Sequence, residues 1–507
     1  MTQMNKAKRV FINTVILYMR IVISMAISLV SVPMLLRALG ESDYGLFNLI
    51  AGVIAMLSFL NASMTVSTQR YMSVAIGEHN KEKLNSIFNA SIILHIIIGL
   101  IIVILFELAS LFLFNGLLNI STDRIQTAQI VYQLLVVSTF FTIITVPYNA
   151  VLNAKENMFA FSMVGIFDSL VKLILAYYLL TSMFDRLLIY GIGISVMSVV
   201  STLMSRGCVK IIYREFVFNP RLYFNKDRFK EMAKFASWNT LGAVAMIGRN
   251  QGIAVIINLF FGTIANAAYG ISNQINGVLG YFSSTFQKAL NPQLMQSEGM
   301  NDRERLIRIS YISSKYSVVV LSFFSVPLII EMQYVLQIWL KSVPEHTLLL
   351  SQLVLVLSII YQYSVGLMSA IQAVGRIRVY FIIMSILILL NLPISYVVLN
   401  LGFPLFSTII IFIIIELFSF VTRLIMANKI VGILPLDFLR CVVCPTLLLI
   451  FISTIFSLIP HVFLLPSLNR LLLVCVIYAL IFIFLAYFLI LDDNYKKIII
   501  NKLPFLK

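Results

Sequence analysis

Residues 92–106 read Ile-Ile-Leu-His-Ile-Ile-Ile-Gly-Leu-Ile-Ile-Val-Ile-Leu-Phe, inside an apolar stretch that extends over 86–114. A hydrocarbon core about 30 Å thick is crossed by about 20 such residues in a helix, so this stretch reads as a membrane span. The same reading recurs along the chain. Apolar stretches separated by short polar joints lie at 10–36, 44–70, 86–114, 127–152, 158–182 and 187–212. They resume at 234–260, 268–290, 309–330, 347–371, 379–400 and 404–428, and end with 438–459 and 469–491. The runs are continuous rather than alternating over about ten residues, which excludes a barrel. The expectation is an all-α polytopic membrane protein with about 14 transmembrane helices.

Composition agrees. Of 507 residues, 60% are hydrophobic and 11% charged, and mean hydropathy is +0.98. Soluble domains carry about 25% charged residues, so a water-soluble enzyme, a nucleic-acid binder and a secreted disulfide scaffold are excluded. Four cysteines make no framework. Cys441 and Cys444 have redox-motif spacing, but they sit at one end of an apolar helix without a second pair and read as packing. No Gly-x4-Gly-Lys-[Ser/Thr] loop occurs, so ATP hydrolysis by that route is not expected. The residues call for no cofactor and no metal, and the chain reads as something other than an enzyme.

The net charge of +16 is informative by position. Lys6, Lys8 and Arg9 precede the first stretch, which is too long for a signal sequence. With the N-terminus inside, 29 of the 37 Lys and Arg residues fall in cytoplasmic segments or at their edges, and 5 fall outside. That asymmetry follows the positive-inside rule and predicts both termini in the cytoplasm.

A repeat organises the spans. Gly77-Glu-His-Asn-Lys-Glu-Lys-Leu84 recurs as Gly299-Met-Asn-Asp-Arg-Glu-Arg-Leu306, offset by 222 residues, after spans two and eight. Gly40 maps onto Gly262 at the same offset, Tyr44-Gly45 onto Tyr269-Gly270 at 225, and Asn153-Ala154 onto Gln372-Ala373 at 219. Short basic glycine-bearing joints are common, but six of eight positions agreeing in type, at the matching place in each half, favour duplication. The expected layout is a six-helix bundle over 1–214, a basic cytoplasmic linker over 215–233, a second six-helix bundle over 234–430, and two further helices with a tail over 431–507. An even number of spans per repeat gives parallel copies related by a pseudo-two-fold along the membrane normal.

Ionisable residues within spans cost about 2.5–3.5 kcal/mol each on insertion scales and usually face protein or water. Arg20 and Arg249 lie mid-span without a local partner and read as cavity-lining; the alternative is that each pairs with a carboxylate, Arg249 with Glu416 for instance. Asp168 and Lys172 are spaced for an i,i+4 pair. His95 reads as a hydrogen-bonded core residue or an ion carrier, and Glu107 lies close to the outer end of its span. Asn250, Gln251, Asn273 and Gln274 stand in a polar concentration in spans seven and eight, suited to interhelical bonding or to a wet cavity. Asp168, Lys172, Glu416 and His95 are the ion-coupling candidates; Arg20, Arg249, Asn250, Gln251, Asn273 and Gln274 are the substrate-binding candidates.

The run Val32-Pro-Met-Leu-Leu-Arg-Ala-Leu-Gly-Glu-Ser-Asp-Tyr-Gly45, its echo from Gly262 to Gly270, the joint Gly77–Leu84 and Asn391-Leu-Pro393 resemble the polysaccharide transporter family. More narrowly, they resemble its Wzx-type flippases for O-antigen and capsule repeat units, within the multidrug/oligosaccharidyl-lipid/polysaccharide exporter superfamily. The resemblance implies two six-helix bundles around a cationic cavity and a variable last helix pair. It implies a cargo, an oligosaccharide on undecaprenyl pyrophosphate, turned across the bacterial inner membrane by alternating access for surface polysaccharide synthesis. It also implies membrane lipids, a proton or sodium gradient, a polysaccharide polymerase and a chain-length regulator as partners. Alternatives within reach are a peptidoglycan lipid-precursor flippase, a drug or metabolite antiporter of the same superfamily, and a membrane glycan polymerase.

Overall fold

The computed structural model describes residues 3–55, 58–114, 120–340 and 343–491. Every regular element among them is helical. In hydrocarbon each backbone N–H and C=O must find its partner within the segment, which helices achieve whatever the side chains. That is why stretches rich in Ile and Val, weak helix formers in water, are helical throughout here. Polar residues set the ends: Asn80, Asn157, Asp185, Asn225, Asp302 and Ser467 each accept a hydrogen bond from a backbone N–H of the turn they start.

The first half of the chain holds α1 (Gln3–Ala55), α2 (Ser58–Gly77), α3 (Lys81–Phe112), α4 (Ile125–Ala154), α5 (Met158–Thr181) and α6 (Arg186–Ile212). A short α7 (Pro220–Tyr223) precedes α8 (Lys226–Gly299), and then come α9 (Arg303–Ile330), α10 (Met332–Trp339), α11 (Thr347–Val374), α12 (Arg378–Asn400) and α13 (Ser407–Val431). The chain closes with α14 (Pro435–Phe438), a π-turn over Leu439–Val443, α15 (Cys444–Phe463) and α16 (Leu468–Leu489). The segment expected as a linker thus contains α7 and the start of α8.

Twelve helices among the described residues are long and apolar enough to cross a membrane, α8 being one of them at 74 residues. At 1.5 Å per residue α8 is about 110 Å long, more than twice the thickness of a bilayer, so it carries both the seventh and the eighth expected spans. The second expected span, 44–70, runs across residues 56–57, outside the described residues. The protein is a multi-pass, all-helical membrane protein.

The polar joints expected at 37–43 and 261–267 are each narrowed to a kink where two helices meet at a single non-helical residue: Gly40 (φ 76°, ψ 168°) and Gly262 (φ 76°, ψ −168°). That backbone region is essentially restricted to glycine. A Cβ at either position would meet nothing within 4 Å, so the conformation, not crowding, requires glycine. The 222-residue repeat therefore appears in the backbone. It appears again where His79 (φ 56°) and Asn301 (φ 55°) turn the chain, followed by the caps Asn80 and Asp302.

The chain divides into two compact units. Unit 1 comprises Met1–Ala243 with Met295–Asn301; unit 2 comprises Val244–Leu294 with Asp302–Lys507. In unit 1, α1 packs along α5 and α4 along α6. Its two apolar cores centre on Phe88, Tyr148 and Phe216, and on Phe106 and Tyr132. In unit 2, α11 packs between α9 and α13. The last helix pair is fastened to α9 there: Tyr478 Oη donates to the Ser322 carbonyl at 3.2 Å, and Arg470 bonds the fully buried Glu331 at 2.7 and 3.2 Å.

Candidate substrate and coupling site

In unit 1 the guanidinium of Arg20, on α1, lies over the Phe161 ring of α5, 4.7 Å from its centroid. It fits there because Gly165 has no side chain: a Cβ at that position would sit 2.2 Å from Arg20 Nη2. One turn further along α5, Asp168 accepts a hydrogen bond from Ser201 of α6, and Ser169 bonds Ser24 of α1 at 3.0 Å. Arg20, Phe161, Gly165, Asp168 and Ser201 thus form one polar group where α1, α5 and α6 meet. The expected Asp168–Lys172 ion pair is absent among the described residues. Lys172 is exposed, and Asp168 turns to Ser201, because a hydroxyl donor on a packed neighbour orders fewer bonds than a long lysine chain does.

His95 of α3 is fully buried. Its Nδ1 lies 2.7 Å from the Ser91 carbonyl, and Ser91 Oγ bonds Thr68 of α2 at 3.2 Å. Its Nε2 has no partner among the described residues.

In unit 2, Arg249 of α8 lies over Phe412 of α13, 4.9 Å from the ring centroid, and its Nε and Nη2 donate to Asn250 Oδ1 at 3.1 and 3.0 Å. Phe412, Glu416 and Arg423 share one face of α13, at i, i+4 and i+11. Glu416 is buried and ion-paired with buried Arg423, not with Arg249. Arg423 also donates to Ser364 Oγ at 3.0 Å and lies over Tyr361. The Glu416 carboxylate is thus taken by Arg423 of its own helix, while Arg249 approaches α13 through the Phe412 ring. Asn250 and Gln251 are exposed on α8, beside Arg249 in sequence. Asn273 and Gln274 are exposed beyond the Gly262 break, and Asn273 bonds its own helix at Tyr269 O.

Sequence reasoning missed Arg423, which stands near the end of its span and reads as an edge cation. Its spacing from Glu416, seven residues or two turns on one face, was the available signal. The aromatic partners Phe161 and Phe412 carry no local signal; tertiary packing selects them.

Beside an anionic ligand, a guanidinium stacked on an aromatic face keeps a fixed plane, and its N–H fork suits phosphate or carboxylate geometry. Arg20 and Arg249 are such arginines on the first long apolar helix of their units; Arg70 also lies over Tyr71 and Phe235, and Arg423 over Tyr361. Residues 10–298, more than half of the chain, match the family model described as polysaccharide biosynthesis protein.

The chain belongs to the polysaccharide biosynthesis protein family.

Solved structures give the fold independently. The protein resembles a MATE in the bent conformation at TM-score 0.72 and 12% identity, over 84% of this chain and 96% of that one. It resembles an outward-facing multidrug resistance MATE family transporter of the MOP superfamily at TM-score 0.70 and 15% identity, over 83% and 95%. A MOP superfamily transporter from Pyrococcus furiosus, described as having a binding pocket of reverse polarity, matches at 0.66 and 14%, over 83% and 95%. No curated protein matches the sequence. This member of the polysaccharide biosynthesis family therefore has the fold of MOP-superfamily exporters.

Proposed function

We propose that the protein is a flippase that turns an oligosaccharide repeat unit on undecaprenyl pyrophosphate across the bacterial inner membrane by alternating access, with both termini in the cytoplasm. The observation that carries this reading is the pair of ring-stacked arginines, Arg20 on Phe161 and Arg249 on Phe412, in a chain of the polysaccharide biosynthesis family. The cargo's chemistry explains why such residues are tolerated in a membrane. Each unsatisfied hydroxyl costs about 4–8 kcal/mol in hydrocarbon, so the sugars need a polar path, and the pyrophosphate needs cations along it. Asn250, Gln251, Asn273 and Gln274 supply neutral hydrogen-bonding groups for the glycan.

Asp168 is our choice for the coupling carboxylate. Glu416 is engaged by Arg423, and His95 sits in the core of unit 1, whereas among the described residues Asp168 accepts its hydrogen bond from the Ser201 hydroxyl and lies in the Arg20 group. One charge moved through 100 mV supplies about 2.3 kcal/mol. Lys172 shares the face of α5 with Asp168, one turn further along. A polymerase and a chain-length regulator acting on the exported units are the functional partners.

The test is genetic. A strain lacking the gene should lose its surface glycan and regain it with the wild-type protein. Restoration of cell-wall growth in a peptidoglycan-flippase mutant, or of drug efflux alone, would overturn the assignment.

A further inference from the structure

The motif pair Gly77–Leu84 and Gly299–Leu306 is not used by the cargo reading, and the structure gives its glycines a specific placement. A Cβ on Gly77 would lie 2.2 Å from the carbonyl oxygen of Gln296, and a Cβ on Gly299 would lie 2.0 Å from the carbonyl oxygen of Val74. The obstacle is backbone in both cases, so neither position admits a side chain unless a helix moves. The contact is also self-complementary. Adding 222 to 74 and 77 gives 296 and 299, so exchanging the two helix ends maps the crossing onto itself, as at an isologous interface.

The end of α8 belongs to this crossing more than to its own neighbours in sequence. Met295–Asn301 is part of unit 1, although the residues on either side of it are in unit 2. It is a seven-residue strap. Gln296 Nε2 bonds the Ala154 carbonyl at 2.7 Å, which ties the strap to the end of α4. By the distribution of basic residues, this end of α2 and α8 faces the cytoplasm.

We infer that the Gly77–Gly299 crossing is a cytoplasmic clasp: closed as seen here, it seals the inner ends of these helices, and its parting admits cargo from the inner leaflet. The inference rests on the transport reading for its purpose, but its test does not need cargo. Ser73 lies one turn before Gly77 and is fully buried. In a protein whose four cysteines are replaced, Ser73→Cys should react slowly with a membrane-impermeant maleimide applied from the cytoplasmic side of inverted vesicles. With Val74→His and Gln296→His bridged beforehand by zinc, which leaves the maleimide reporter as the one thiol, that reaction should fall at least tenfold and recover on chelation. Both glycines remain in place in this arm, and the rate with the two histidines unbridged is the reference, because replacing Gln296 also removes its bond to Ala154. Gly77→Val should raise the rate at least tenfold, while Gly280→Val, where a Cβ meets nothing within 4 Å, should leave it unchanged. A Ser73→Cys rate indifferent to bridging, or reaction only from the opposite face, overturns the clasp. Success here with no glycan transport in any assay would overturn the cargo reading and leave the clasp standing.

Discussion

Glu416 and Arg423 sit two turns apart on one face of α13 and form a buried ion pair, with Ser364 as a third partner. The desolvation of two charges is offset only while both are present. Arg423→Met should therefore destabilise the detergent-solubilised protein by about 3–5 kcal/mol, read as a lower midpoint of thermal unfolding. Glu416→Leu combined with Arg423→Met should recover most of that loss. A double variant no more stable than Arg423→Met would show that the pair is not the source of the cost.

The breaks at Gly40 and Gly262 give a second expectation. Both residues hold φ 76° with open space around the Cα, so an alanine there is strained without clashing. Gly40→Ala and Gly262→Ala should each cost about 1–3 kcal/mol, and Gly280→Ala, mid-helix at a half-buried position where a Cβ meets nothing within 4 Å, should be neutral or stabilising by up to about 1 kcal/mol. Equal effects at the three sites in thermal unfolding would contradict the backbone account.

Much of this was legible in the sequence. The apolar runs give the helices directly, because a bilayer demands length and hydropathy and little else. The match of Gly40 to Gly262 was legible too, since a backbone requirement leaves its residue type behind. The single-residue break itself was not, because a polar stretch such as Glu41-Ser42-Asp43 resembles a loop whether or not helix continues through it. Nor was the Arg20 site fully legible. The arginine was visible as an isolated charge in a span, but Phe161, Gly165 and Ser201 are ordinary residues until packing brings them to it. The alternative pairing of Arg249 with Glu416 is not the one that packing delivers: the buried carboxylate takes Arg423 of its own helix, a cation that reads in the sequence as lying at the edge of its span.

At the joint after Gly40, Arg124 bridges Asp43 at 2.5 Å and Asp185 at 2.7 Å. Burial pushes the Asp43 carboxyl up from its ordinary range; Arg124 opposes that, and Asp185 and Asp123 add to it. A raised folded-state pKa means that the native state binds the proton more readily than the unfolded chain. This group's contribution therefore favours folding below the ordinary carboxylate value of about 4 and is lost as pH rises through the raised one. Removing the cation enlarges the effect. Arg124→Gln should lower the unfolding temperature more at pH 7.5 than at pH 5, and an equal loss at both would exclude carboxylate repulsion as its cause.

The last helix pair should depend on Glu331. Arg470 contributes two hydrogen bonds to its carboxylate, and His461 Nδ1 lies 3.1 Å from it. Arg470→Ala leaves a fully buried carboxylate short of its main partner, so limited proteolysis should cut the Phe463–Leu468 connection sooner than in wild type. Unchanged cleavage would mean that the apolar packing of α15 and α16 on α9 suffices to hold the pair.

The central claim is that Arg20 and Arg249 carry a pyrophosphate-linked glycan. The most direct measurement is translocation of a fluorescent undecaprenyl-pyrophosphate oligosaccharide in proteoliposomes under a proton or sodium gradient. Wild type should translocate it. Arg20→Gln and Arg249→Gln should each lose at least tenfold at normal protein abundance. Gly165→Ala, which displaces the Arg20 guanidinium, should lose activity in the same direction. Full translocation by the Arg20→Gln, Arg249→Gln double variant would reduce both arginines to structural residues and contradict the account.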